Sequence, residues 1–131
     1  MVIIDTTVWI DYLNGLQTPQ VDWLDAELDR QRLGLTDLIL CEILQGVRDE
    51  RQATEVHHDL SRFEIFDTGG IELAVTAAQN YRALRAEGRT IRRTADCLIA
   101  TFCLMNDYAL LHNDRDFDPF EQYLALRVIH P

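Results

Sequence analysis

Short apolar runs that stop at a carboxylate or a glycine alternate with longer stretches whose apolar positions recur every three or four residues. Val2-Ile3-Ile4, stopped by Asp5, has the unbroken apolar pattern of a strand buried on both faces. Thr6 or Thr7 is expected to cap the element that follows. Thr7 to Leu13 reads as a helix halted by Asn14-Gly15. Pro19 opens a second helix, with Val21, Leu24 and Leu28 at helical spacing between Asp22, Asp25, Glu27 and Asp29. Leu33 to Leu35 predicts a second strand that leaves through Thr36 and Asp37. Helices are expected over Leu38 to Val47 and Asp49 to Phe63. A strand follows at Glu64 to Asp67, closed by Gly69-Gly70. Ile71 to Glu87 predicts a long helix ending at Gly88. Thr94 is expected to cap a helix over Ala95 to Met105. Tyr108 to His112 reads as an apolar strand opening into Asn113-Asp114, with a short helix from Pro119 to Leu124 and a last strand over Leu126 to Ile129.

Strands that alternate with helices require crossover connections and therefore parallel pairing. The fold class is α/β: a three-layer α/β/α sandwich with a central, mostly parallel sheet. The 131 residues suit one domain spanning 1–131. In such sheets the ligand site lies beyond the carboxyl ends of the strands.

Charge sharpens the picture. There are 22 Asp and Glu against 12 cations, a net charge of −10, and every cation is arginine. Without lysine, a phosphate-binding GxxxxGK[ST] loop and a Schiff-base enzyme are excluded. A generally basic duplex-binding surface is also disfavoured. No apolar run approaches the roughly 18 residues of a membrane span, and the start of the chain lacks a basic leader. Cys41, Cys97 and Cys103 form no CxxC pair. They are expected to be reduced, small core residues of a cytoplasmic protein.

The acidic residues fall at telling places. Asp5 ends the first strand. Asp114 and Asp116 follow the strand that ends at His112, with Asp118 close behind. Asp96 lies in the first turn of a helix, and Glu42 interrupts the apolar run Leu38-Ile39-Leu40-Cys41-Glu42-Ile43-Leu44. Each alone has a structural explanation as a cap, a turn residue or a solvated side chain. Together, on one rim of a parallel sheet, they would repel one another unless divalent cations sat among them. Hard oxygen ligands suit Mg²⁺ or Mn²⁺.

Four segments carry a resemblance: Val2-Ile3-Ile4-Asp5-Thr6-Thr7-Val8-Trp9, Leu40-Cys41-Glu42-Ile43-Leu44-Gln45-Gly46, Thr94-Ala95-Asp96-Cys97-Leu98-Ile99-Ala100, and Leu110-Leu111-His112-Asn113-Asp114-Arg115-Asp116-Phe117. In this order, and across nearly the whole chain, they resemble the PIN domain and, within it, the VapC family of bacterial toxins. The resemblance implies a Mg²⁺- or Mn²⁺-dependent endoribonuclease acting as the toxin of a toxin–antitoxin pair. Its acidic set would be Asp5, Glu42, Asp96 and Asp114, with Asp116 assisting as a further metal ligand. Asp5 and Asp96 are expected to be the central ligands. Glu42 and Asp114 are expected to bind directly or through water, and either could accept the proton of the attacking water. Thr6, Thr7 and Asn113 are candidates to hold carboxylates or waters in place, or are ordinary capping and turn residues. The family usually has Ser or Thr where this chain has Cys41, a departure that bears on a supporting hydrogen bond rather than on the metal ligands. The resemblance also implies 5′-phosphate and 3′-hydroxyl products, a homodimer, a cognate VapB-type antitoxin, and an RNA substrate, with tRNA or another structured RNA among the candidates.

Residues 79–94 hold Arg82, Arg85, Arg89, Arg92 and Arg93 against Glu87, a local charge of +4 that leaves −14 on the rest of the chain. Arg89, Arg92 and Arg93, immediately before Asp96, are candidate RNA-binding residues, since guanidinium forks match phosphate oxygens. A solvated helix face and a docking site for an acidic partner segment remain open for this block. His57 and His58 are expected in solvent, and His112 is left unassigned. Trp9, Tyr12, Trp23 and Phe63 are expected as core or interface anchors. The rival readings are a non-catalytic interaction module on the same fold and a DNA- or flap-directed nuclease. A phosphoryl-accepting receiver domain is disfavoured because it relies on a lysine.

Overall fold

A computed structural model describes residues 1–131. Its element order is β1 (Val2–Ile4), α1 (Thr6–Leu13), α2 (Pro19–Glu27), β2 (Leu33–Thr36), α3 (Asp37–Gln45), α4 (Glu50–Leu60), β3 (Glu64–Phe66), α5 (Gly70–Ala86), α6 (Thr94–Asn106), β4 (Ala109–Leu111) and α7 (Asp118–Leu124), with a 3₁₀ turn at Arg115–Phe117 before α7. All pairings in the sheet are parallel, in the order β3-β2-β1-β4. Right-handed crossovers put α1 to α4 on one face, and the reversal from β3 to β4 puts α5 and α6 on the other. The sandwich is thus the α/β/α arrangement that the alternating pattern predicts.

The strand order reverses beside β1, whose neighbours are β2 and β4. Beyond the ends of β1 and β4, the connecting chains leave in opposite directions and a crevice opens. The Asp5 N–H donates to the Leu111 carbonyl at 2.9 Å. This ladder bond locks the exit of β1 beside the exit of β4.

The buried apolar side chains form one cluster of 27 residues, so both helical layers share a core through the sheet. Trp9 is fully buried and packs against Phe63 and Tyr12, at ring separations of 4.9 and 6.1 Å. On the opposite layer Phe66, Phe102 and Tyr108 form a triangle of ring contacts at 5.6–6.0 Å. Tyr12, Trp23 and Phe63 are half-buried against the core. No helix is long and apolar enough to cross a membrane.

Several expectations need correction. The segment Leu126 to Ile129 makes a single bridge, Leu110 with Val128, in place of a strand. Ala125 adopts a left-handed conformation just before it, and contact with β4 is confined to Leu110, whose N–H donates to the Arg127 carbonyl and whose carbonyl accepts from the Ile129 N–H. Neither Thr6 nor Thr7 caps α1; Asp5 does, accepting from the Thr7 N–H. Thr94 does not cap α6 but is its first residue, and Arg93 occupies the cap position without a side-chain cap bond. The Arg93 side chain is drawn instead to carboxylates. The helix after Asp49 stops at Leu60, three residues before Phe63, and Asp49 is its cap. Cys97 and Cys103 are buried, but Cys41 is exposed on α3.

Candidate active site

Asp5 reaches the crevice because β1 is too short to continue and α1 needs a cap. Its Oδ2 accepts from the Thr7 N–H at 3.1 Å and from Thr7 Oγ1 at 2.7 Å. Thr7 Oγ1 in turn accepts from the Asn113 N–H at 3.1 Å, so the exits of β1 and β4 are tied a second time. The Asn113 side chain makes no hydrogen bond and its residue is exposed. Thr6 Oγ1 donates to Glu42 Oε1 at 2.7 Å. Glu42, half-buried on α3, is therefore turned towards α1 rather than towards solvent. Thr6 thus gives Glu42 a hydroxyl partner, although the residue before the glutamate is Cys41.

Asp96 comes from the first turn of α6 and is 2% exposed. Arg93 Nε donates to Asp96 Oδ2 at 3.0 Å, and Arg93 Nη2 donates to Asp114 Oδ2 at 2.9 Å. One guanidinium thus spans carboxylates from α6 and from the exit of β4. Asp114 Oδ1 accepts from the Asp116 N–H at 2.9 Å, which shapes the 3₁₀ turn and swings Asp116 back to the rim. Arg92 grips both Asp116 oxygens at 2.9–3.2 Å. Oxygens of Asp96, Asp114 and Asp116 lie within 4.8 Å of one another.

The electrostatics show how crowded the rim is. Burial pushes the Asp5 carboxyl up to about 6 against its Thr7 hydrogen bonds, and the charges of Asp96 and Glu42 push in the same direction. Burial also lifts Asp96 to about 6; Arg93 holds it down, while Asp114 and Glu42 raise it. Asp96, with smaller help from Asp114 and Glu42, keeps the Arg93 guanidinium more firmly protonated than usual. Asp5, Glu42, Asp96, Asp114 and Asp116 are therefore brought to one place. Asp118 is exposed and stands outside this group.

Sequence reasoning missed two features. His112 is buried, its Nδ1 accepts from the Asp114 N–H at 3.1 Å, and burial lowers its affinity for a proton. It braces the turn that carries Asp114, and its apolar neighbours gave no polar signal. The second feature is the engagement of Arg92 and Arg93 by the carboxylates, although their position just before Asp96 marked them. The arginine block is not one helix face. Arg85 lies over Tyr81 at 5.6 Å, whereas Arg89 leaves α5, lies over Tyr123 at 6.0 Å and donates to Gln122 at 3.2 Å.

A parallel α/β/α sandwich with an acidic centre at its topological switch point defines the class of this protein. Comparison with known proteins narrows it. The PIN domain family profile matches residues 2–121. "VapC ribonuclease Mb1587" of Mycobacterium bovis and "Ribonuclease VapC11" of Mycobacterium tuberculosis are each 30% identical to the chain, over 98% of its length and 97% of theirs. Among solved structures, VapBC2 from Rickettsia felis bound to a promoter DNA fragment superposes with a TM-score of 0.79 at 19% identity, covering 98% of each chain. FitAcB from Neisseria gonorrhoeae superposes with a TM-score of 0.77 at 20% identity, covering 100% of this chain and 98% of that one. The chain belongs to the PIN domain family and, within it, to the VapC group.

Proposed function

We propose that this protein is a Mg²⁺- or Mn²⁺-dependent endoribonuclease and the toxin of a toxin–antitoxin pair. One observation carries the reading: five carboxylates from four separate segments converge on the rim where β1 and β4 end. The donor set is all hard oxygen. Octahedral Mg²⁺ bonds oxygen at about 2.0–2.1 Å, so its ligands stand about 3–4 Å apart. The ligand oxygens of Asp96, Asp114 and Asp116, within 4.8 Å of one another, are close to that spacing. These residues would hold the ion, with Asp5 and Glu42 completing the set directly or through water. When bound, such an ion polarises a phosphoryl oxygen and makes a neighbouring water more acidic.

The chain's own residues do the rest. Thr7 and Thr6 fix one oxygen each of Asp5 and Glu42, leaving the other oxygen of each free for ion or water. Glu42 or Asp114 takes the proton of the water that attacks phosphorus. The P–O3′ bond breaks and the departing O3′ takes a proton from solvent water, leaving a 5′-phosphate on one fragment and a 3′-hydroxyl on the other. Arg89, Arg92 and Arg93 line the approach and favour the RNA backbone by charge. Exposed Tyr123, beside Arg89, also offers an aromatic face to an unpaired base.

An antitoxin and a second copy of the chain are the protein partners in this reading. It is supported by the VapC relatives and by apolar side chains left open on and after α1: Ile10, Leu13 and Leu16 are 40%, 38% and 53% exposed. The proposal is tested with Asp5→Asn and Asp96→Asn. Both should abolish RNA cleavage and weaken Mn²⁺ binding while circular dichroism stays native. Full activity in both variants contradicts it, and RNA binding without turnover in any divalent metal favours the non-catalytic module.

A further inference from the structure

Arg93 occupies the oxygens that an incoming cation needs. Its fork takes Asp96 Oδ2 and Asp114 Oδ2, and these two carboxylates belong to the trio whose spacing suits an ion. The other oxygen of Asp114 is held by the Asp116 amide, and both oxygens of Asp116 by Arg92. Each member of the trio therefore carries a donor, and Arg93 is the one that bridges two of them.

Arg93 is also built to leave. Its side chain is 53% exposed, against 2% for Asp96, so its stem is free in solvent while its fork reaches into the crevice. It sits at the cap position of α6, a helix with no side-chain cap. No side-chain cap bond therefore ties the Arg93 side chain to the start of α6; its only side-chain partners are the two carboxylates. A guanidinium matches a phosphate diester as well as it matches a carboxylate pair.

We infer that Arg93 has two positions, serving as the resident counter-ion of the Asp96–Asp114 pair before metal loading and as a phosphate-binding residue for RNA afterwards. This rests on the metal-dependent nuclease reading and adds a coupling to it. With Asp96 and Asp114 engaged by an ion, the Arg93 guanidinium would be free for the RNA backbone, so the two would bind in a linked fashion. No bond is made or broken in the exchange.

The test is Mn²⁺ titration of the purified, EDTA-stripped chain, followed by electron paramagnetic resonance of free Mn²⁺, for wild type, Arg93→Gln and Arg93→Lys. Arg93→Gln removes a competitor from the ligands and should tighten Mn²⁺ binding roughly fivefold or more. The same variant should raise the KM for a short RNA. Arg93→Lys, which keeps the charge but not the fork, should lie between the two in both measurements. Unchanged or weaker Mn²⁺ binding in Arg93→Gln overturns the exchange while leaving the nuclease reading intact. Tighter Mn²⁺ binding with an unaltered KM overturns the phosphate-bound position. Absence of Mn²⁺ binding in all three proteins at millimolar metal overturns the exchange and the nuclease reading together.

Discussion

Thr6 and Glu42, 36 residues apart in sequence, share a 2.7 Å hydrogen bond that joins the first turn of α1 to the middle of α3. The bond turns a glutamate in an otherwise apolar helix towards the acidic rim and fixes one of its two oxygens. Thr6→Val keeps the volume and deletes the donor. Loss of a residue that orients a ligand costs about 10–100-fold in activity or metal affinity. Thr6→Val should therefore lower kcat for RNA cleavage by that factor with little change in melting temperature. An unchanged kcat means that Glu42 needs no orientation.

Asp5 predicts a pH signature of the metal-free protein. Its carboxyl ionises near 3.8 unfolded and near 6 folded, so the folded chain holds the proton more tightly. The resulting stability is fully present below about pH 4 and is lost as pH rises through about 6. Two pKa units correspond to about 3 kcal/mol. Asparagine caps a helix as well as aspartate, so Asp5→Asn removes the charge and keeps the cap. In EDTA at pH 7, Asp5→Asn should melt several degrees above wild type, and the gap should close near pH 4. Mg²⁺ should raise the melting temperature of wild type much more than that of the variant. Equal melting curves at pH 7 would show that Asp5 is not strained by burial.

Gly34 lies in the middle of β2, between β1 and β3. A Cβ there would stand 2.7 Å from the Glu64 carbonyl oxygen and 3.1 Å from Phe66 Cε2. The first neighbour is backbone in a paired strand and cannot move aside cheaply. Gly34→Ala should cost about 1–3 kcal/mol in urea unfolding and leave Mn²⁺ affinity unchanged, because the clash lies away from the carboxylates. A neutral effect would mean that the β2–β3 pair is looser than its register implies.

The strands were legible because each is a short apolar run ended by a carboxylate, and strand exits are where a parallel sheet gathers its chemistry. That logic located Asp5 and Asp114, while the apolar setting of Glu42 singled it out but left open whether it faced solvent or was held inward. The last strand misled because Leu126 to Ile129 has the composition of a strand, whereas its pairing is confined to the one bridge at Leu110. Thr94 misled as a cap because capping chemistry is local, whereas the position is decided by Arg93, which answers to carboxylates on α6 and beyond β4. His112 was unreadable for a similar reason: its role depends on the turn it braces, not on its neighbours in sequence. Pairwise contacts of this kind appear only once the topology has closed.

The most direct test of the account is cleavage of total RNA by the purified protein across a Mn²⁺ and EDTA titration, with chemical analysis of the new ends. The account predicts cleavage in Mg²⁺ or Mn²⁺, none in EDTA, recovery when excess Mn²⁺ is restored, and products bearing 5′-phosphate and 3′-hydroxyl groups. Cleavage that persists in EDTA, or products ending in a 2′,3′-cyclic phosphate, would contradict it.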